Sequence, residues 1–333
     1  MQMSGGIELL RYRTGFQEYW RDNGKSITPF IIAGVILVAG GIVRGGFAEI
    51  GHLLLMMKVA SFVGFLAISQ TTVILSGGGG IDISVGTMAS MGALFSATIM
   101  QGGERSTLLA LIVVAVMGLA LGMVNGSMIA YLRIHPLIMT LAMSYVVVGI
   151  IVAFAQGRTL LGHASPVLER IVNGRVYGLH VIVLIWVGLT VVAEVVLRRT
   201  RTGQKLLSVG TNDVAATLAG VKVPIFRFWI YAISGMLSSV FGVLLLGYVH
   251  TVFLDVGNQY MFPSVVASAI GGISLAGGSG SYIGTFGGAL VYTFLLSFLV
   301  TINMDESLRK ALFGLILILL LVIYSRSTKS DQV

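Results

Sequence analysis

Residues 107–132 read TLLALIVVAVMGLALGMVNGSMIAYL, a run without one charged side chain. About 20 mostly apolar residues suffice to cross the hydrocarbon of a bilayer. The run is therefore expected to be a membrane-spanning helix, and nine others resemble it: 28–43, 52–75, 81–101, 136–156, 178–197, 224–249, 261–276, 281–302 and 308–325. Polar or glycine positions interrupt 81–101 and 261–276. The fold class expected is all-α, a polytopic membrane protein of about ten transmembrane helices with broken Gly-rich segments. It divides into an N-terminal segment 1–27, a single transmembrane domain 28–325 and a tail 326–333. Residues 1–27 are polar and charged, and no small-residue cleavage site follows an early apolar run, so no signal peptide is expected.

The composition of the whole chain agrees. Of 333 residues, 56% are apolar and 10% charged, and the mean hydropathy is +0.95. A soluble domain carries about 25% charged residues, and a soluble fold this apolar would expose large aggregating patches. A soluble enzyme is thereby excluded. Cysteine is absent, which removes disulfides, thiolate chemistry, iron–sulfur clusters and cysteine-ligated zinc. The formal charge of +8 would suggest nucleic acid in a soluble chain, but here the basic residues lie between apolar runs and are better read as setting orientation, with no nucleic-acid partner.

With the N-terminus cytoplasmic, thirteen of the 21 lysines and arginines fall on inside segments. The eight outside are Arg44, Lys58, Arg105, Arg158, Arg170, Arg175, Arg309 and Lys310. This bias favours both termini inside. The densest basic cluster, about 198–227, should be the main cytoplasmic loop.

Ionisable residues inside spans are functional candidates by default, and this chain has few. Lys58 is expected to snorkel, Glu194 to pair with Arg198 one turn on, and Asp82 to cap the helix that starts beside it. No span carries the acid chain of a proton relay or the arginine ladder of a voltage sensor. Uncharged polar side chains are more numerous, among them Gln70, Thr71, Asn125, Thr140, Ser144 and Tyr145. A wall of hydroxyls and amides suits a neutral hydrogen-bonding solute, so these six are the candidate solute pathway. The same groups also serve as interhelical bonds worth about 0.6 kcal/mol each.

Gly118, Gly122 and Gly126 fall on one helical face, as do Gly280, Gly284 and Gly288, a spacing that lets helix backbones pack closely. Two segments differ: Gly77, Gly78, Gly79, Gly80 and Asp82 in one, Gly277, Gly278 and Gly280 in the other. Neither should be regular helix, and irregular backbone survives at membrane depth only when buried in protein or lining a cavity. They match at an offset of 200 residues, Leu75 with Leu275 and Ile83 with Ile283, and paired broken segments point to a transport site between repeats.

Two enzyme motifs fail. Gly277-Gly278-Ser279-Gly280 imitates an intramembrane serine protease, but all five histidines precede Ser279. Gly24-Lys25-Ser26 ends like a phosphate loop, but Tyr19 stands where its first glycine belongs. No catalytic residue, metal site or cofactor is expected.

In the basic loop, Asn212 is a good helix N-cap, Asp213 suits the positive helix end and Gly220 a C-terminal stop. Val214, Ala215 and Leu218 would form the apolar face of this short helix. So short a helix is unstable alone in water and must pack on something. Its own bundle and a partner's groove both satisfy that need.

Five stretches taken in order, TVILSGGGGIDISVG (72–86), PLIMTL (136–141), RTRTGQ (199–204), NDVAATLAGV (212–221) and AIGGISLAGGSG (269–280), resemble permease subunits of the ribose/xylose/galactose-type sugar ABC importers, a group that extends to branched-chain amino acid permeases. The resemblance implies a bacterial inner-membrane permease importing a neutral monosaccharide or polyol. Its partners would be two ATPase subunits, a second permease subunit and an external solute-binding protein. It also implies that Asn212, Asp213, Val214, Ala215, Ala216, Thr217, Leu218, Ala219 and Gly220 form the ATPase-coupling segment. The chain departs from the family pattern in its four glycines before Ile81-Asp82, and in Val214, Thr217, Met261, Pro263 and Ser279, where charged residues are usual. Alternative solutes are nucleosides and furanosyl signal molecules. The rival mechanism is ion-coupled secondary transport.

Overall fold

The computed structural model describes residue 24 and residues 26–103, 106–156, 163–251 and 254–330. Most of the N-terminal segment, Arg105, Arg158 and the last three residues of the tail lie outside it.

Seven helices among the described residues are long and apolar enough to cross a membrane. They are α1 (Ser26–Val43), α2 (Ile50–Leu75), α4 (Thr107–Ala130), α5 (Pro136–Ala155), α7 (Val181–Arg199), α10 (Val223–Val249) and α12 (Tyr282–Thr301). Between and after them run the shorter α3 (Val85–Met100), α11 (Met261–Ile270) and the last helix, α13 (Glu306–Ser330). The chain is therefore an all-α polytopic membrane protein.

Two of the expected spans are shorter than their apolar runs. The third begins at Val85, not at residue 81: Gly77, Gly78 and Gly79 turn the chain with positive φ (+73°, +66° and +73°), and residues 80–84 follow as extended chain and a turn before the helix starts. The eighth stops at Ile270, not at residue 276, and residues 271–281 run on as turns and extended chain to α12.

Short elements cover both ends of the bundle, and of these the sequence predicted only the short helix after Asn212. At one end lie α6 (Pro166–Asn173), whose Leu168 N–H donates to the Ser165 hydroxyl, and the hairpin β1 (Arg175–Val176) with β2 (Leu179–His180). At the other end lie α8 (Arg201–Thr211), capped by Thr200, and α9 (Asp213–Leu218).

Helix α10 runs through the middle, against α2, α3 and α4. Its seam with α4 is built from the predicted glycine face. A Cβ on Gly118, Gly122 or Gly126 would strike the carbonyl oxygen of Gly235, Tyr231 or Phe228. The second glycine run is only partly helical. Gly280 precedes α12, while Gly284 and Gly288 press α12 against Gly271 and Ala267 of the α11 segment. Trp186, fully buried, stacks on Phe286 at 3.9 Å and occupies the space Gly64 leaves empty, tying α7 to α12 and α2. Lys58 reaches toward the end of the bundle that α6 covers. Its Nζ donates to Asn173 Oδ1 at 2.6 Å and lies over the Tyr248 ring, and Asn173 in turn donates to the Gly247 carbonyl at 3.0 Å.

The α4–α10 seam carries a stability prediction. Forcing extra methylenes into a packed contact costs about 1–3 kcal/mol. Gly122→Leu should therefore unfold several degrees below the parent in a detergent thermal scan. Gly149→Leu, where a Cβ meets nothing within 4 Å, should leave the midpoint unchanged.

Candidate functional site

At the α9 end, both glycine-rich segments meet the last turn of α8. The Gly278 N–H donates to the Leu75 carbonyl at 3.1 Å. A Cβ on Gly210 would land on that same carbonyl and on the Gly278 backbone, and one on Gly277 would land on Gly77. The two segments matched at an offset of 200 residues are thus in backbone contact, and α8 closes against both.

Beyond this joint, residues 81–84 are held by side chains from four helices. The Gln70 amide on α2, in the orientation that satisfies both partners, donates to the Asp82 carbonyl and accepts from the Asp82 N–H, each at 3.1 Å. On α5, Thr140 Oγ1 accepts from the Ile83 N–H at 3.1 Å, and Ser144 donates to the Ile83 carbonyl at 3.2 Å. Asn125 Nδ2 on α4 donates to Ser84 Oγ at 3.1 Å. The fully buried Asp82 carboxylate accepts from the Ser84 N–H at 2.9 Å, from the Ser84 hydroxyl, and from Ser234 Oγ on α10 at 3.2 Å. Asp82 thus closes a turn two residues long and does not cap α3, which starts three residues later. Non-helical backbone removed from water must find such partners inside the protein.

Four of the six predicted pathway residues, Gln70, Asn125, Thr140 and Ser144, therefore converge on one broken segment. Thr71 goes elsewhere, bonded to Ser268 at 3.0 Å and Thr285 at 2.9 Å. Tyr145 is 72% exposed on the outer face of α5. Ser234 and Ser238, absent from the sequence prediction, extend the network; Ser69 Oγ lies 2.9 Å from Ser234 Oγ and 3.0 Å from Ser238 Oγ. The four-residue spacing of Ser234 and Ser238 was the available signal.

Helix α9 sits on the joint. Asn212 Oδ1 accepts from the Val214 and Ala215 N–H groups at 2.9 and 3.0 Å, and Gly220 ends the turn with φ +86°. Arg227 of α10 grips Asp213 with both terminal nitrogens, at 2.9 and 3.0 Å, and donates to the Ser76 carbonyl at 3.1 Å. One guanidinium thus links α9, α10 and the first glycine segment. Ala216, predicted for the coupling face, instead faces the chain's own bundle, buried with Val209 and Val223. Val214 and Leu218 point away, 69% and 84% exposed. Thr217 and Ala219 are also exposed. Beside α9 opens a groove of ≈ 550 Å³ between Gly78, His135, Asp213, Leu218 and Arg227.

The predicted Glu194–Arg198 pair forms at 2.9 Å and does more than was expected of it. Glu194 Oε2 accepts from the Tyr282 N–H at 2.7 Å and from the Ser281 hydroxyl, while Arg198 donates to the Gly280 carbonyl at 3.0 Å. The C-terminal turns of α7 are pinned to the start of α12, and the carboxylate meets the positive end of that helix.

Residues 52–321 match the family model described as branched-chain amino acid transport system / permease component. The chain is 28% identical over 302 residues to the autoinducer 2 import system permease protein LsrD of Escherichia coli strain SMS-3-5, covering 89% of this chain and 91% of that one. The Shigella flexneri protein of the same name matches equally. That of Yersinia enterocolitica is 28% identical over 287 residues, 85% of this chain and 86% of its own. No solved structure matches the chain.

The Arg227 clamp carries a measurable cost. Lysine offers a point charge where arginine offers a fork, and Asp213 is about half exposed, so screening limits the loss. Arg227→Lys should lower stability by about 1 kcal/mol, and Arg227→Ala by more. Asp213→Asn added to Arg227→Ala should cost little further, because the two changes remove the same contact. Thermal unfolding of the parent, Asp213→Asn, Arg227→Ala and the double variant completes the cycle.

Proposed function

The chain belongs to the branched-chain amino acid transport system / permease component family, and on that footing we propose that it is the membrane permease of an ATP-driven importer for a neutral, hydroxyl-rich solute, a sugar, polyol or furanosyl signal molecule. The relatives named for autoinducer 2 import favour the furanosyl class. In this reading the importer stands in a bacterial inner membrane with two ATPase subunits, a second permease and an external binding protein. ATP is hydrolysed on the partners.

Ten crossings account for the helices: the seven long ones, α3, α13, and α11 continued by residues 271–281. Both termini and the α8–α9 loop are then cytoplasmic, a placement favoured by the six basic residues from Arg198 to Arg227. The transmembrane unit 28–325 works as one domain. Gln70, Asn125, Thr140, Ser144 and Asp82 frame the broken segment beside the solute path. Thr71 bridges α2 to the α11–α12 unit, and Tyr145 faces lipid or the second permease.

One observation carries the coupling assignment. Helix α9 is capped by Asn212, clamped through Asp213, seated by Ala216, and still leaves Val214 and Leu218 bare. So much anchoring of six residues that bury so little of their own apolar surface fits a lever presented to a partner. The contact face is Val214, Ala215, Thr217, Leu218 and Ala219. Motion there reaches both glycine segments through Gly210 and Arg227, and α12 through Glu194.

Two measurements test this. Burying a leucine is worth about 1.5–3 kcal/mol, so Leu218→Asp should weaken ATPase pull-down tenfold or more and abolish hydrolysis stimulated by the loaded binding protein. Full association with full stimulation would overturn the coupling assignment. Thr211→Cys, the one thiol in a cysteine-free chain, should resist an impermeant thiol reagent in intact cells and react in inverted vesicles. The opposite pattern reverses the orientation.

A further inference from the structure

At the end of the bundle opposite α9, a cavity of ≈ 670 Å³ opens between α2, α11, α12 and α13. Its volume is that of a small-molecule site. The walls include the aromatic rings of Tyr260, Tyr292 and Phe313, with Tyr292 and Phe313 in contact at 4.4 Å between centroids. Asn258 and Gln259 of the turn before α11 supply amides. On α12, Thr293 is 97% buried, lines the cavity, and its hydroxyl has no hydrogen-bond partner among the described residues.

A buried hydroxyl left without a partner costs about 1–3 kcal/mol, so a polar ligand atom at this wall, met by a turn of the Thr293 side chain toward the cavity, would relieve that cost. Charged side chains stand at the mouth: Glu306 pairs with Lys310 at 2.6 Å, and Arg309 donates to the neutral Met304 carbonyl at 3.0 Å. The other lining residues supply rings, amides and a hydroxyl but no charge. A polyhydroxylated ring suits the site, with its C–H face on the aromatic rings and its hydroxyls on the amides and Thr293.

We propose that this cavity is an entry site for the imported solute, binding a neutral polyhydroxylated ring of furanose or pyranose size, with Thr293 as a specificity-determining contact. The proposal rests on the import reading above. None of the six pathway residues expected from the sequence lines the cavity.

The test uses the complete transporter in cells and the absence of native cysteine. The Thr293→Cys thiol should react with a small impermeant thiol reagent added outside. Saturating autoinducer 2 or D-ribose should slow that reaction about tenfold, and L-leucine should not. Thr293→Val, which keeps the shape and removes the hydroxyl, should raise the half-saturating concentration for uptake about fivefold at unchanged maximal rate, with ATPase pull-down intact. A thiol that does not react, that reacts equally fast with and without both sugars, or that only leucine protects would overturn the assignment. Uptake by the wild-type chain is measured in parallel. Normal uptake of either sugar beside an unprotected thiol overturns the cavity alone, whereas uptake of neither overturns the import reading and the cavity with it.

Discussion

Bare backbone pressed on bare backbone at Gly77, Gly210 and Gly278 is the contact on which the rest of the structure depends. Nothing larger than hydrogen fits there, since a Cβ on Gly210 would occupy the Leu75 carbonyl and the Gly278 amide. That closeness fixes where α2 ends, where α8 ends and where the chain turns back toward α12. It also makes one body of segments far apart in sequence. Small residues let elements approach in a membrane, where no hydrophobic force drives helices together.

Breaking two spans exposes main-chain groups that lipid cannot satisfy. The protein answers with side chains. Gln70 closes both main-chain bonds of Asp82, Thr140 and Ser144 take Ile83, and Asp82 itself holds Ser84 while receiving Ser234. At the second break, Glu194 covers the Ser281 hydroxyl and the Tyr282 amide. Residues that look from composition like the lining of a path are, in large part, the frame that permits irregular backbone at all.

This division of labour has a functional consequence. A transporter must move some parts against others while keeping its buried polar groups paired throughout. Here the frame around Asp82 is hydrogen-bonded and the joint at Gly210 is closely packed, and both connect to α9, a six-residue helix with its apolar side turned outward. A displacement applied to α9 has short routes to both broken segments, by hydrogen bond through Arg227 to Ser76 and by backbone contact through Gly210 of α8 to Gly278.

By itself the sequence determined the membrane class, because apolar runs of spanning length have no other use. It also determined the breaks at Gly77–Gly80 and Gly277–Gly280, and the capped turn from Asn212 to Gly220, because glycine and asparagine have local conformational preferences that need no distant partner. It also picked out Gln70, Asn125, Thr140 and Ser144, which meet at the first break. Only the tertiary structure decided what they do. Ser69 meets Ser234 across 165 residues, Glu194 meets Tyr282 across 88, and Ala216 turns inward while Leu218 turns out. A periodicity names a helix but not the neighbour it packs against, and a hydroxyl with an unspecified partner reads equally well as a pathway or as a brace. The physical reason is that a hydrogen bond is a relation between two atoms in space, and one-dimensional pattern carries only one of them.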